Sequence, residues 1–192
     1  MRISFSGELS YEINVQANYG RHIWDKVTEI GQQWNVTHYG TESMHVLRAE
    51  KGFIIVGQDT DGTVTPHDAG LSWAIAKSKT DFVGIRGLQR SDLMSDGRRQ
   101  LIGLQTKDPN TVLAEGAQIV ADPNQQIPMK MLGFVTSSYW SGTLGKSIAM
   151  ALVEDGHKLI GTKLFVPMPD ETIEVEVVPT VFYDTKGERL NG

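Results

Sequence analysis

The chain has 192 residues, of which 40% are apolar and 21% charged, the balance of a globular protein and not of a disordered tail or a fibre. Its formal charge of -5 argues against a nucleic-acid binder, which carries a basic footprint. No run approaches the roughly 20 apolar residues that cross a bilayer, the opening residues lack a signal-peptide pattern, and the absence of cysteine excludes disulfides and thiolate chemistry; a cytoplasmic setting with neither membrane nor nucleic acid as partner is expected.

In chain order, Ile3, Phe5, Leu9, Tyr11, Ile13 and Val15 alternate with small or polar residues. This predicts a half-buried strand or hairpin. Most chains begin with a few loose residues, so the opening reads either as a natural N-terminal strand or as a cut from something longer. Arg21 to Trp34 spaces Ile23, Val27, Ile30 and Trp34 as one apolar face of a helix. A second helix is expected from Glu42 to Lys51, with Thr41 as N-cap and Gly52 as its left-handed stop. Phe53 to Val56 reads as strand or buried connector, Gln58 to Pro66 as a loop, Leu71 to Ala76 as a short buried strand, and Asp81 to Leu93 as a third helix. The polar turn Ser95 to Arg99 sets a boundary between a domain at 1–96 and one at 97–192.

The second part changes character. Short apolar runs at Leu101–Leu104, Gln118–Val120, Met131–Thr136, Ile148–Val153, Lys163–Val166 and Thr172–Val178 are separated by Gly, Pro, Asp and Asn. Strands at this spacing predict a small antiparallel barrel or sandwich. Ile173, Val175 and Val177 alternate with Glu174 and Glu176, one core face and one wet face. The fold class is therefore α+β.

The dinucleotide fingerprint, the P-loop and the nucleophile elbow are all missing. Asp59-Thr60-Asp61-Gly62 is similar to the start of a calcium loop but fails the required Gly at position six and Glu at position twelve, so these carboxylates read as turn-formers. The five histidines never pair at i,i+4, and no metal site is expected. Glu8 and Glu12 are more informative. In one uninterrupted strand they share a face, with Leu9 and Tyr11 on the other. A carboxylate beside apolar and aromatic walls accepts two parallel N–H bonds from a flat heterocycle such as a pterin. The alternative is a pair of exposed strand glutamates.

Several stretches carry a family resemblance. Ser6-Gly7-Glu8-Leu9-Ser10-Tyr11-Glu12-Ile13 resembles the TGE-x-G-x-E motif of the glycine-cleavage T-protein (aminomethyltransferase) family. Leu47 to Gly52 resembles its LRLEAG helix, and Gly57–Asp61, Thr65-Pro66 and Ala69–Trp73 its next loop and strand. Asp81-Phe82-Val83-Gly84 resembles its DFIG stretch. Ser141–Leu144 with Ile148-Ala149-Met150 resembles the signature of its C-terminal barrel. Val46 to Gly62 and Asp184 to Gly192 are similar in detail to the sarcosine oxidase alpha-subunit branch. That likeness makes the chain the last fifth of a longer subunit: the C-terminal part of a folate-binding module, then the barrel.

The resemblance implies a site and a role. Glu12 falls where the family contacts the pterin of tetrahydrofolate, and Glu8 is a nearby second carboxylate, read as structural. Tyr11 either walls the pocket or packs in the core, and core is the preferred reading. A family arginine that holds folate falls at Met44, which cannot donate a hydrogen bond. Arg48, one turn later on the same face, either replaces it or makes a helix-surface ion pair. Phe182 and Tyr183 match an aromatic stretch that lines the site. The family's catalytic aspartate lies upstream of Met1, so no catalytic residue is assigned and the isolated piece is expected to be inactive. The implied activity is transfer of a one-carbon unit from oxidised sarcosine to tetrahydrofolate, giving 5,10-methylenetetrahydrofolate. FAD, FMN and NAD belong only to the parent complex, and the implied partners are the rest of the alpha subunit, the other oxidase subunits and folate. The alternatives are an aminomethyltransferase piece and a non-catalytic docking module.

Overall fold

The computed structural model describes residues 1–192. Six strands, β1 (Arg99–Thr106), β2 (Gln118–Ile119), β3 (Gly133–Ser141), β4 (Lys146–Glu154), β5 (Lys163–Pro167) and β6 (Thr172–Val178), form one antiparallel sheet in the order β2-β3-β4-β1-β6-β5. All six short apolar runs of the sequence become these strands. No helix is long and apolar enough to cross a membrane.

The expected barrel is a sheet curled until its edges meet at one point. Val120, just past β2, exchanges two backbone hydrogen bonds with Phe165 of β5, at 2.9 and 3.0 Å. No continuous ladder closes the ring. β2 is only two residues long, because Asp122 and Pro123 come soon after it and proline cannot donate to a ladder.

Curling buries most of the inner face. Ile102, Leu104, Ile119, Val135, Val153, Val166, Val175 and Val177 form the main core. β1 is buried on both faces, since Leu101 points outward into a second cluster with Ile148, Met150 and Leu152. This outer face is covered by helix α2 (Thr41–Glu50), through Ala49, and by Phe182. Gly103 makes the cover possible. A Cβ there would lie 2.5 Å from the Pro179 carbonyl oxygen and 2.9 Å from the Phe182 ring.

Helix α1 (Gly20–Gly31), extended by a 3-10 turn at Gln32–Trp34, forms where the spacing predicts it. Its apolar face stays largely open: Val27, Ile30 and Trp34 are exposed, and between Gly7 and Arg48 no residue is buried. α2 also forms as expected, and Gly52 closes it at φ 66. Thr41 is not its cap but its first helical residue. Gly40 occupies the N-cap position, with no side-chain bond there.

Three further expectations are corrected. Of the strand or hairpin expected at the opening, a minimal hairpin forms: Gly7 at φ 82 folds the chain back and only Arg2 and Tyr11 pair as a bridge. Glu8 therefore sits in the bend and Glu12 on the returning arm, not on one strand face. Leu71–Ala76 is not a strand: with no neighbouring strand to pair with, Ser72–Ala74 makes a 3-10 turn and Trp73 is 80% exposed. The third helix shrinks to α3 (Ile85–Leu88). Gly84 at φ 102 breaks it at the start, and Gly87 lowers the helical propensity of the remainder.

Candidate functional site

The last turn of α2 is where the chain's distant segments meet. Arg48 is 0% exposed. Its guanidinium pairs with Asp59 and donates to Phe53 O at 3.1 Å, Ser137 Oγ at 2.7 Å and Tyr139 OH at 3.2 Å. Asp59 is equally buried and fully used. One oxygen takes Arg48 and the Ile55 N–H; the other accepts from the Thr136 and Ser137 hydroxyls, both at 2.6 Å. A bulge in β3 between Val135 and Ser137 turns these two successive hydroxyls toward one carboxylate. A regular strand would send them to opposite faces.

Arg48 is thus neither a helix-surface pair nor a ligand-facing arginine, but the centre of a buried network that fastens α2 to β3. Asp59 is likewise more than a turn-former. A buried pair costs desolvation and is tolerated only with satisfied bonds around it. The Nε of Arg48 alone lacks a partner.

Glu50 and Lys51 extend the junction. Glu50 accepts from the Ser141 hydroxyl at 2.6 Å, and its carbonyl accepts from the N–H groups of Phe182 and Tyr183, both at 2.9 Å. Lys51, 6% exposed, donates to the carbonyl and the carboxylate of Asp184 at 2.6 and 2.9 Å. The Lys51 hydrogen bond holds the Asp184 carboxyl below the usual carboxylate range. Beside this junction is a cavity of about 410 Å³, lined mainly by apolar groups, among them Phe5, Phe53, Ile54, Leu71, Trp73 and Val181, with Lys51 its one charged residue. The volume lies within the range of small-molecule pockets.

The structure separates the residues nominated from sequence. Glu8 pairs with Arg189 of the closing segment. Glu12 is exposed, and its carboxylate makes no hydrogen bond or ion pair. Only its backbone is engaged, in two bonds with Met1. Tyr11 is 68% exposed and not a core residue, because the hairpin places no second layer over it. Phe182 and Tyr183 are half-buried. Phe182 packs on the outer face of the sheet, and Val181 next to it lines the cavity. Met44 is half-buried. The opening and closing segments are therefore neighbours, but Glu12 and Arg48 do not share a cavity.

Sequence reasoning missed Lys51, Asp184 and Arg189. The sole signal was a lysine directly before the glycine that stops α2, which periodicity does not mark.

The comparisons with known proteins agree with this arrangement. A family model described as the GCVT N-terminal domain matches residues 1–79, and one described as the glycine cleavage T-protein C-terminal barrel domain matches residues 99–184. The chain is 48% identical over 193 aligned residues to sarcosine oxidase subunit alpha from Corynebacterium sp. (strain P-1), covering 100% of this chain and 20% of that one. It is 33% identical to an aminomethyltransferase from Thermotoga neapolitana, covering 95% of this chain and 47% of the other. In fold it resembles the crystal structure of the glycine cleavage system aminomethyltransferase T from Bartonella henselae, with a TM-score of 0.80 at 24% identity, over 96% of this chain and 49% of that one. The chain spans a fifth of the length of the oxidase subunit and about half that of the aminomethyltransferases.

Proposed function

The chain belongs to the glycine cleavage T-protein family, and from that premise we propose that it supplies one wall of a tetrahydrofolate-binding site in a sarcosine oxidase alpha-type subunit. The observation that carries the oxidase assignment is its 48% identity across the entire chain to such a subunit, against 33% to an aminomethyltransferase. On this reading 1–96 is the end of the folate-binding module and 97–192 its barrel. Flavin and nicotinamide chemistry belongs to parts of the subunit outside this chain.

The residues present suit the ligand. The opening motif has two carboxylates with different duties. Glu8 is committed to Arg189, whereas Glu12 keeps both oxygens free. A free carboxylate is a paired acceptor for adjacent N–H donors on a pterin ring. Phe5, Phe53 and Trp73 offer apolar and aromatic walls in the cavity beside Lys51, whose lining does not include Glu12, and Phe182 and Tyr183, bonded to the Glu50 carbonyl, hold the closing segment at the same junction. Tetrahydrofolate, when bound, supplies the nitrogens that take up the one-carbon unit to give 5,10-methylenetetrahydrofolate. This chain's residues bind and orient; none is assigned to the transfer itself.

The test is titration of a reduced folate against the complete subunit, with and without Glu12→Gln. Leaving the ring's donors facing an amide loses roughly 1–3 kcal/mol, so affinity should fall about tenfold or more. Unchanged affinity overturns the assignment of Glu12. A second reading, a docking module with no ligand of its own, is favoured by one observation: the apolar face of α1 is uncovered. A wild-type subunit that takes up no reduced folate would select it.

A further inference from the structure

We infer that Lys51 is a positioning residue that clamps the opening motif, and with it Glu12, against the closing segment. The inference deepens the folate reading and takes its ligand from it.

A lysine is almost never buried unless paired, yet Lys51 is 6% exposed. Its stem crosses Gly7 so closely that a Cβ on that glycine would fall 2.2 Å from the Lys51 Cγ. Gly7 is therefore required twice, for its positive φ of 82° and for the passage of this side chain. Beyond Gly7 the ammonium reaches Asp184 and bonds both its carbonyl and its carboxylate. The same carboxylate accepts the N–H groups of Glu188 and Arg189 at 3.0 and 3.2 Å. Arg189, placed in this way, pairs with Glu8, the residue after Gly7.

The contacts close a ring from Gly7 to Lys51, Asp184, Arg189, Glu8 and back to Gly7. It grips the bend of the opening hairpin from both sides. Arg2 adds an outer tie, donating to the Leu190 carbonyl at 2.8 Å. Lys51 also lines the cavity with Phe5 of the same hairpin. One side chain thus sets both a cavity wall and the arm that carries Glu12, five residues beyond Gly7. A short side chain at 51 would not reach Asp184, and a long uncharged one would cover Gly7 without neutralising that carboxylate.

The experiment uses the full-length protein that contains this region, with two readouts: amide hydrogen exchange across residues 4–12, and titration with 5-formyltetrahydrofolate as a stable probe. Lys51→Met should speed exchange in 4–12 and weaken folate affinity about fivefold or more. Arg189→Gln opens the ring at its exposed pair, leaves no buried charge unpaired, and should speed the same exchange to a smaller extent; it carries the test if Lys51→Met does not fold. Because Lys51 acts through Glu12, Lys51→Met should add little to the affinity loss of Glu12→Gln. Unchanged exchange in both single variants overturns the clamp, whatever the folate result. Fully additive affinity losses overturn its action through Glu12. A wild-type protein that ignores the probe overturns the folate reading, and the clamp is then decided by exchange alone.

Discussion

The two parts of this chain are stabilised by different chemistry. From Arg99 onward, the buried side chains are mostly aliphatic: β4 alone buries seven consecutive residues, Ser147 to Val153. Before Arg99 the buried residues are mainly polar or charged, namely Arg48, Glu50, Lys51, Asp59, Thr65 and Asp68, with only Gly7, Ala49 and Ala69 besides. Two long tracts, between Gly7 and Arg48 and between Ala69 and Leu101, bury nothing. Aliphatic burial is non-directional and tolerates exchange among side chains of similar volume. A buried ion pair adds little net stability, but it fixes one geometry and is costly to break. The first part is therefore held at defined points, on α2 and the loops behind it, and is otherwise bare.

The contrast can be broken most sharply at Arg48. Arg48→Met strands the Asp59 carboxylate in the interior, which should cost about 3–5 kcal/mol, seen as a large fall in the denaturation midpoint. A loss below about 1 kcal/mol would mean that Asp59 finds water or another partner, and that the network is not the fastening of α2.

Ile102→Ala tests the aliphatic side. Ile102 is fully buried in the main core, and its truncation should cost about 2–5 kcal/mol by lost transfer energy and cavity. Urea unfolding measures this, and a much smaller loss would show that the curled sheet collapses around the gap.

The smallest effect is expected on α1. Trp34 is 77% exposed at its end, so Trp34→Ala should change the stability of this chain by under about 0.5 kcal/mol, as for other surface sites. The same substitution in a full-length subunit sharpens the comparison: a clearly larger loss there would identify the bare face as one that further polypeptide covers.

The strand half was readable from sequence because alternation and Gly/Pro punctuation are local signals. Val175 and Val177 against Glu174 and Glu176 declare their faces without reference to any neighbour. α1 was legible from 3.6-residue spacing, and α2 from the glycine that stops it at Gly52. In the opening segment the alternation left strand and hairpin open, and one positive φ at Gly7 selected the hairpin and separated Glu8 from Glu12. The Glu8 and Glu12 roles suggested by the motif were separated only by a residue 181 positions away from Glu8.

What the sequence determined alone was therefore α1, α2 and the six strands of the sheet, their order, and the resemblance that points to folate. What only the tertiary structure decided was the use of the charged side chains. Nothing local distinguishes Arg48, buried beneath a bulge of β3, from an exposed helix arginine such as Arg21, because its partners lie at Asp59, Ser137 and Tyr139. Lys51 and Asp184 pair across 133 positions of sequence. Periodicity records which face of an element is buried; the partner that a buried charge meets is fixed only when distant segments pack together.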